Sequence, residues 1–414
     1  MKRSLTHIFV LICSFVTAAS SQGQITLSLQ QCIDSALLKN GMITAAELEI
    51  KKAGILKGTA FDPPKTEIVL KQETTGGGGP ENGVQFSQDF EFPTVYVERS
   101  KVLAARENIE RSNYNITVNN LKYEVAAQYH TLLYQRELLD LNQATAEMYE
   151  RFQKLAETRF NDGDCSALEK MNAVRMMEKN RQERIALLQD YATATNKMKL
   201  LTGCYESVEP STDLFEPLIQ VVDSAGFTYD TTPEAILADS EIALSRRNVV
   251  LAKHELLPDL YLSATVQALI KSFNPYNVDR SRFEQGNFMG FEVGISVPLF
   301  FGAQKSRIKA AETEANIALL NKETAAIEAE SRFKAILSEL GKAESQLNYY
   351  TGTALKQADE IKRLAEVSYE YGEIDYMEYI GNLETYYSIR KEYAAAVNDY
   401  NQTILRLNHL TGQQ

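Results

Sequence analysis

Ten prolines divide this 414-residue chain unevenly. They stand at 63, 64, 80, 93, 210, 217, 233, 258, 275 and 298, so that 94–209 and 299–414 contain none. A proline inside a helix removes a backbone hydrogen bond and clashes with the preceding turn. Both proline-free spans are also poor in glycine and rich in Ala, Leu, Glu, Lys, Arg and Gln. Each therefore reads as very long helix. One glycine-centred break interrupts each span, RFNDGDCS at 159–166 and YEYGEIDY at 369–376. The expectation is a pair of helical hairpins, over 94–203 and 302–412, whose first arms are roughly 100 Å long at about 1.5 Å per residue. Helices of this length are stable only when packed along their whole extent. Leu121, Val125, Tyr129, Leu132, Leu133, Leu138, Leu139 and Leu141 supply a coiled-coil-like seam for the first arm.

Ahead of each long span the period changes from helical to two. In 83–92 Val84, Phe86, Phe90 and Phe92 face one way, and Gln85, Ser87, Asp89 and Glu91 the other. In 259–271 the apolar set is Leu260, Leu262, Ala264, Val266 and Ile270; in 287–297 it is Phe291, Val293, Ile295 and Val297. With 65–74 these make four strands of about ten residues, joined in pairs by the polar, Gly/Pro-containing links 74–82 and 274–286. Such strands suit a soluble sandwich with its apolar face inward, or a membrane barrel with that face outward. Four strands cannot close around a polar lumen, so the second arrangement requires an oligomer. The Gly-rich link lacks the following helix with Lys and Ser/Thr that a phosphate loop needs.

The chain is also a tandem duplication. Residues 154–203 align with 363–412 without a gap at an offset of 209, with thirteen identities in fifty positions, among them Gly163 with Gly372 and Leu201-Thr202-Gly203 with Leu410-Thr411-Gly412. Earlier, FDPPKTEIVL matches LLPDLYLSA, and FEFPTVYVERSKVLAA matches ISVPLFFGAQKSRIKAA. Each copy reads as helix, two strands, long helix, break and shorter helix. The organisation expected is a first repeat over 20–209, a linking segment 210–231 and a second repeat over 232–414. Pro64 and Pro258 stand where helix passes to strand. Pro93 and Pro298 stand where strand passes to helix, positions at which a residue without an N–H ends ladder bonding.

Residues 1–19 have the form of a secretory signal: Lys2 and Arg3, an apolar run centred on Ile8 to Val16, then Thr17, Ala18 and Ala19. Ile12 before Cys13 argues against a lipoprotein site. A net charge of -12 argues against a nucleic-acid groove, so no nucleic-acid partner is expected. Past the signal no apolar run is long enough for a transmembrane helix, and any membrane passage would be by strands. Cys165 and Cys204, with one helix between them, lie too far apart for a direct disulfide; Cys32 is the third thiol. No cofactor or metal site is expected. His130, His254 and His409 fall in separate helical segments, and the spacing of Met171, Met176 and Met177 fits core packing better than metal. No GxSxG, HExxH, Walker loop or Cys-x-x-Cys is present, so the chain does not read as an enzyme. A cytoskeletal rod or isolated coiled coil accounts for the helices alone. A non-conducting envelope protein or adhesin is the remaining alternative.

The duplicated plan, LSLQQCIDSALLKN near the mature amino terminus, SVPLFFGAQKSRIKAAETEA and the Tyr/Phe-x-x-Gly breaks resemble the TolC-like outer-membrane efflux protein family. The resemblance covers essentially the whole mature chain, although FEFPTVYVERSKV lacks the glycine after its proline. It implies a fold that is mainly α with a membrane β-barrel: a homotrimer whose strands form one twelve-stranded barrel in outer-membrane lipid, continued by a long α-helical barrel through the periplasm of a Gram-negative bacterium. It implies a passive exit channel that works with a periplasmic adaptor and an inner-membrane pump of the RND or ABC type. The tips, Arg159, Asp162, Gly163 and Asp164 with Tyr371 and Gly372, would meet the adaptor. Glu378, with Glu169 as its counterpart, would ring the periplasmic mouth, and Tyr369 would help hold it shut. The family often has a second acid three residues on, where this chain has Gly381.

Overall fold

The computed structural model describes residues 24–74, 80–211, 214–219, 227–269 and 288–412. The signal segment, most of the two strand-linking turns, part of 210–231 and the outer ends of two expected strands (270–271 and 287) lie outside the described residues. In chain order the elements are β1 (Gln24–Leu27), α1 (Leu29–Lys39), α2 (Gly41–Leu56), β2 (Glu67–Thr74), β3 (Pro80–Phe90), α3 (Pro93–Asp162) and α4 (Ala167–Thr202). Then come β4 (Ser207–Pro210), α5 (Pro233–His254), β5 (Asp259–Leu269), β6 (Phe288–Ser296), α6 (Gly302–Tyr349), a π-helical turn (Tyr350–Ala354), α7 (Leu355–Glu370) and α8 (Tyr376–Thr411). Among the described residues no helix is long and apolar enough to cross a membrane.

Helix α3 runs unbroken for 70 residues, about 105 Å at about 1.5 Å per residue. Proline begins it, at the position where a missing N–H costs nothing. Gly163 ends it in the left-handed region at φ 83, where a side chain would be strained. The first arm of the second hairpin is not a single helix. Between α6 and α7 the five residues Tyr350–Ala354 wind as a π-turn, which inserts slack into the ladder. The matching stretch of α3 is plain α-helix, so the repeats differ here despite their equal spacing from helix start to tip glycine.

The duplication is written into the backbone. Among the described residues the positive-φ glycines are Gly163, Gly203, Gly372 and Gly412, which are two aligned pairs: the turn of each hairpin and the cap closing each second arm. At Gly203 a Cβ would also meet Lys39 at 2.9 Å, because the end of α4 packs tightly on α1. The parallel pairing of β1 with β4, Gln24 opposite Ser207 through Leu27 opposite Pro210, was not expected from the sequence. It joins the amino-terminal segment to the chain beyond α4. Around it Cys32, Ala36, Leu121, Val125, Tyr129, Leu132, Met198 and Val208 form one core. A second core near the tips unites Met148, Phe152, Ala173, Tyr376, Ile380 and Leu383, and a third lies between α6 and α8 around Phe333, Leu340, Val397 and Ile404. Met176 and Met177 pack against the tip core, as expected of core residues, whereas Met171 is exposed and does not share that role.

Candidate functional site

The remaining four strands form one antiparallel sheet in the order β2-β3-β5-β6. Its register sorts the side chains into rows. Ile68, Phe86, Ala264 and Phe291 stand side by side on one face, and Leu70, Val84, Val266 and Met289 on the next row of the same face. The opposite face carries the row Glu67, Ser87, Ser263 and Glu292. Burial is the reverse of a soluble sandwich. Leu70 and Phe291 are each 80% exposed and Val293 76%, whereas Ser87 and Ser263 are 8% and 6% exposed. On the polar face Gln85 Nε2 donates to Tyr261 Oη at 3.1 Å and to Ser263 Oγ at 2.9 Å. Each bulky apolar side chain left in water forgoes roughly 1.5–3 kcal/mol of burial. Such a face is stable only against lipid or another apolar surface.

β2 and β6 are the sheet's outer strands and, among the described residues, have no neighbour on their far sides within the chain. In hydrocarbon each unpaired N–H or C=O costs several kcal/mol, so an apolar-faced sheet with two open edges is an incomplete structure. At its helical end the four prolines stand beside the strand ends. Pro93 is the first residue of α3, Pro258 directly precedes β5, Pro64 lies shortly before β2, and Pro298 follows β6. After Pro298 come Leu299, Phe300 and Phe301, of which Phe300 is 92% exposed; α6 begins only at Gly302. Exposed aromatic and apolar groups here suit a membrane–water boundary.

At the far end of the helices the tips are built by capping chemistry. Ser166 accepts a bond from Glu169 N–H, and Asp375 from Glu378 N–H, so both glutamates occupy the third position of a helix, where a carboxylate favours the positive helix end. Their side chains differ. Glu169 is held by Arg159 at 3.3 Å, and Arg159 also donates to the Asp164 carbonyl. Glu378 is exposed. Asp162, Gly163, Asp164, Tyr371 and Gly372 are exposed as well. Tyr369 stacks on Tyr379 with ring centroids 4.8 Å apart and meets Tyr376 edge-on at 5.2 Å. Tyr376 in turn touches Phe152 of the first hairpin. Thus Tyr369 belongs to an aromatic set that couples the two hairpins, whereas Glu169 and Glu378 do not meet within the chain.

Two further cross-hairpin bonds escaped sequence reasoning. The Tyr149 hydroxyl of α3 donates to the Glu384 carboxylate of α8. Burial, with that carboxylate beside it, pushes the phenol well above its ordinary pKa, so it stays a donor at every physiological pH. Lys391 of α8 pairs with Glu183 of α4 at 2.7 Å. The repeat aligns Glu183 with Glu392, but it does not say that Glu183 meets the neighbouring Lys391 in space.

The family model for outer membrane efflux proteins matches residues 80–204 and 237–413. No curated relative matches the chain. Among solved structures, CusC, described in connection with transmembrane channel formation, superposes with a TM-score of 0.77 at 16% identity, covering 94% of this chain and 93% of its own. The Campylobacter jejuni CmeC outer membrane channel gives 0.72 at 14% identity, over 93% and 85% of the two chains. VceC of Vibrio cholerae, an outer membrane protein, gives 0.72 at 15%, over 93% and 96%. The likeness in fold spans both the sheet and the hairpins, and the chain belongs to the outer membrane efflux protein family, whose members are channels of the outer membrane rather than enzymes.

Proposed function

We propose that this protein is the passive outer-membrane exit channel of a tripartite efflux or type I secretion system. Three copies join edge to edge, β6 of one to β2 of the next, so that twelve strands close around a polar lumen and the helices continue as a hollow tube through the periplasm. The observation that carries this reading is the sheet: an apolar face exposed to the outside, a polar face within, and one open edge on each side. Closure satisfies both edges and places the apolar face in lipid. Detergent-solubilised protein is expected to have three times the mass of the chain by light scattering. A stable monomer would remove the channel reading, and a trimer that never conducts would favour an envelope structural protein or adhesin instead.

At the other end, the exposed tips around Gly163 and Gly372 receive a periplasmic adaptor, which links the channel to an inner-membrane pump of the RND or ABC type. Support comes from their exposure and from their place as capped turns at the ends of such long arms. The mouth between them is gated by the second hairpin, held to the first by the Tyr369 and Tyr376 aromatic set and by the Tyr149–Glu384 and Glu183–Lys391 bonds. Glu378 supplies one carboxylate per chain to a ring at that mouth, and such a ring attracts cations. Glu169 is a weaker candidate, because Arg159 neutralises it. Replacing Glu378 by alanine is expected to lower cation selectivity and weaken block by multivalent cations from the periplasmic side. Wild-type values for both in single-channel recordings would take Glu378 out of the ring.

A further inference from the structure

We propose that Cys32 and Cys204 are a disulfide-forming pair that staples the amino-terminal helix to the end of the first hairpin in the exported protein. Both stand as thiols in this structure. Cys32 is fully buried and Cys204 is 9% exposed, and the two belong to the same core although some 170 residues separate them in sequence. Cys204 Sγ lies 3.3 Å from Ser35 Oγ, and Ser35 is one helical turn beyond Cys32 on α1. Residues three apart on a helix lie side by side, with Cβ atoms about 5–6 Å apart. Cys204 therefore sits beside the face of α1 that carries Cys32.

The surrounding contacts hold the two segments in that relation. Asn40 Nδ2 donates to the Leu201 carbonyl at 2.9 Å, Ser35 Oγ donates to the Thr202 carbonyl at 3.2 Å, and the Gly203 cap packs against Lys39. The β1–β4 ladder fixes the chain just beyond. Between the cap and β4, residues 204–206 lie outside helix and strand, so the placement of Cys204 is not dictated by a ladder, and the proposed bond requires its Cβ within about 3.5–4.5 Å of that of Cys32. Cys165 is excluded as a partner for either, since the 36-residue helix α4 stands between it and Cys204, about 54 Å at about 1.5 Å per residue.

The chemistry requires an oxidising compartment, which export beyond the inner membrane provides. Two S–H bonds are lost and one S–S bond forms. Two electrons and two protons pass to the disulfide of an exported thiol oxidoreductase, which leaves as a dithiol. Oxidation takes place while the chain folds, before Cys32 is enclosed.

The test is a thiol count on full-length protein taken from membranes, quenched in acid, denatured and alkylated with N-ethylmaleimide without reduction. One label per mature chain is expected, on Cys165, rising to three after reduction. Peptide mapping should find the Cys32 and Cys204 peptides joined. The Cys32→Ser variant should carry two labels, on Cys165 and Cys204, and because labelling is done unfolded this holds even if the variant assembles poorly. Three labels on unreduced wild-type protein, a linked peptide containing Cys165, or a single label on Cys32→Ser would each overturn the assignment.

Discussion

Replacing Gly163 and Gly372 together by valine is expected to abolish export while leaving trimer formation and membrane insertion intact. Both glycines adopt positive φ, 83 and 72, a region that costs an ordinary L-residue roughly 1–2 kcal/mol and a β-branched one more. A Cβ at either position would meet nothing within 4 Å, so the damage is conformational. It stays local because Phe152, Ile380 and their neighbours form a core that does not use the turn residues. The turns would relax into other shapes, and the surface offered to the adaptor would be lost. Export in a strain lacking the native gene measures the first effect, and the trimer band on an unheated gel measures the second. Unchanged export would refute the docking role of the tips. Valine at Gly203 is the informative contrast: there the Cβ would run into Lys39 backbone at 2.9 Å, and assembly itself should fail.

The second large effect concerns the mouth. Combining Tyr149→Phe with Lys391→Ala removes the polar ties of Glu384 and Lys391 between the tip half of α8 and the first hairpin, and leaves the Gln402 and His409 bonds to α3 farther from the tips in place. The half-exposed lysine pair is worth about 0.2–1 kcal/mol. The tyrosine–carboxylate bond, largely shielded from water and charge-assisted, is worth roughly 1.5–3 kcal/mol. A combined loss of about 2 kcal/mol shifts a closed–open equilibrium by roughly thirtyfold. The double variant should show several-fold higher mean conductance in planar bilayers, with trimer stability preserved because the Phe152, Met148 and Ile380 contacts remain. Conductance equal to that of the wild type would show that these bonds do not hold the mouth.

The parts of the fold set by local physical chemistry were readable in the chain. Proline-free spans marked the long helices, alternation marked three of the four strands, and the tip glycines marked the reversals, because each of these is a property of neighbouring residues. The sheet face that meets lipid was also present in the pattern, but its direction was open until burial showed Phe291 outside and Ser263 inside. What could not be read was long-range or subtle. The β1–β4 pairing uses four residues on each strand, too few for a periodic signal. The π-turn at Tyr350–Ala354 has no marker except Gly352. The Glu169–Arg159 pair depends on two side chains curling back across the turn, which spacing from the glycine alone does not reveal. At the tips the two glutamates looked equivalent in sequence, and only the structure separates a neutralised Glu169 from an exposed Glu378.

The central claim is that three copies of this chain enclose a continuous water-filled path, and purified protein in a planar lipid bilayer tests it most directly. The account predicts discrete, stepwise ion conductance from a species of three chains, cation-selective in the wild type and less so in Glu378→Ala. A correctly inserted trimer that carries no current, even with the Tyr149→Phe and Lys391→Ala changes that release the mouth, would contradict it.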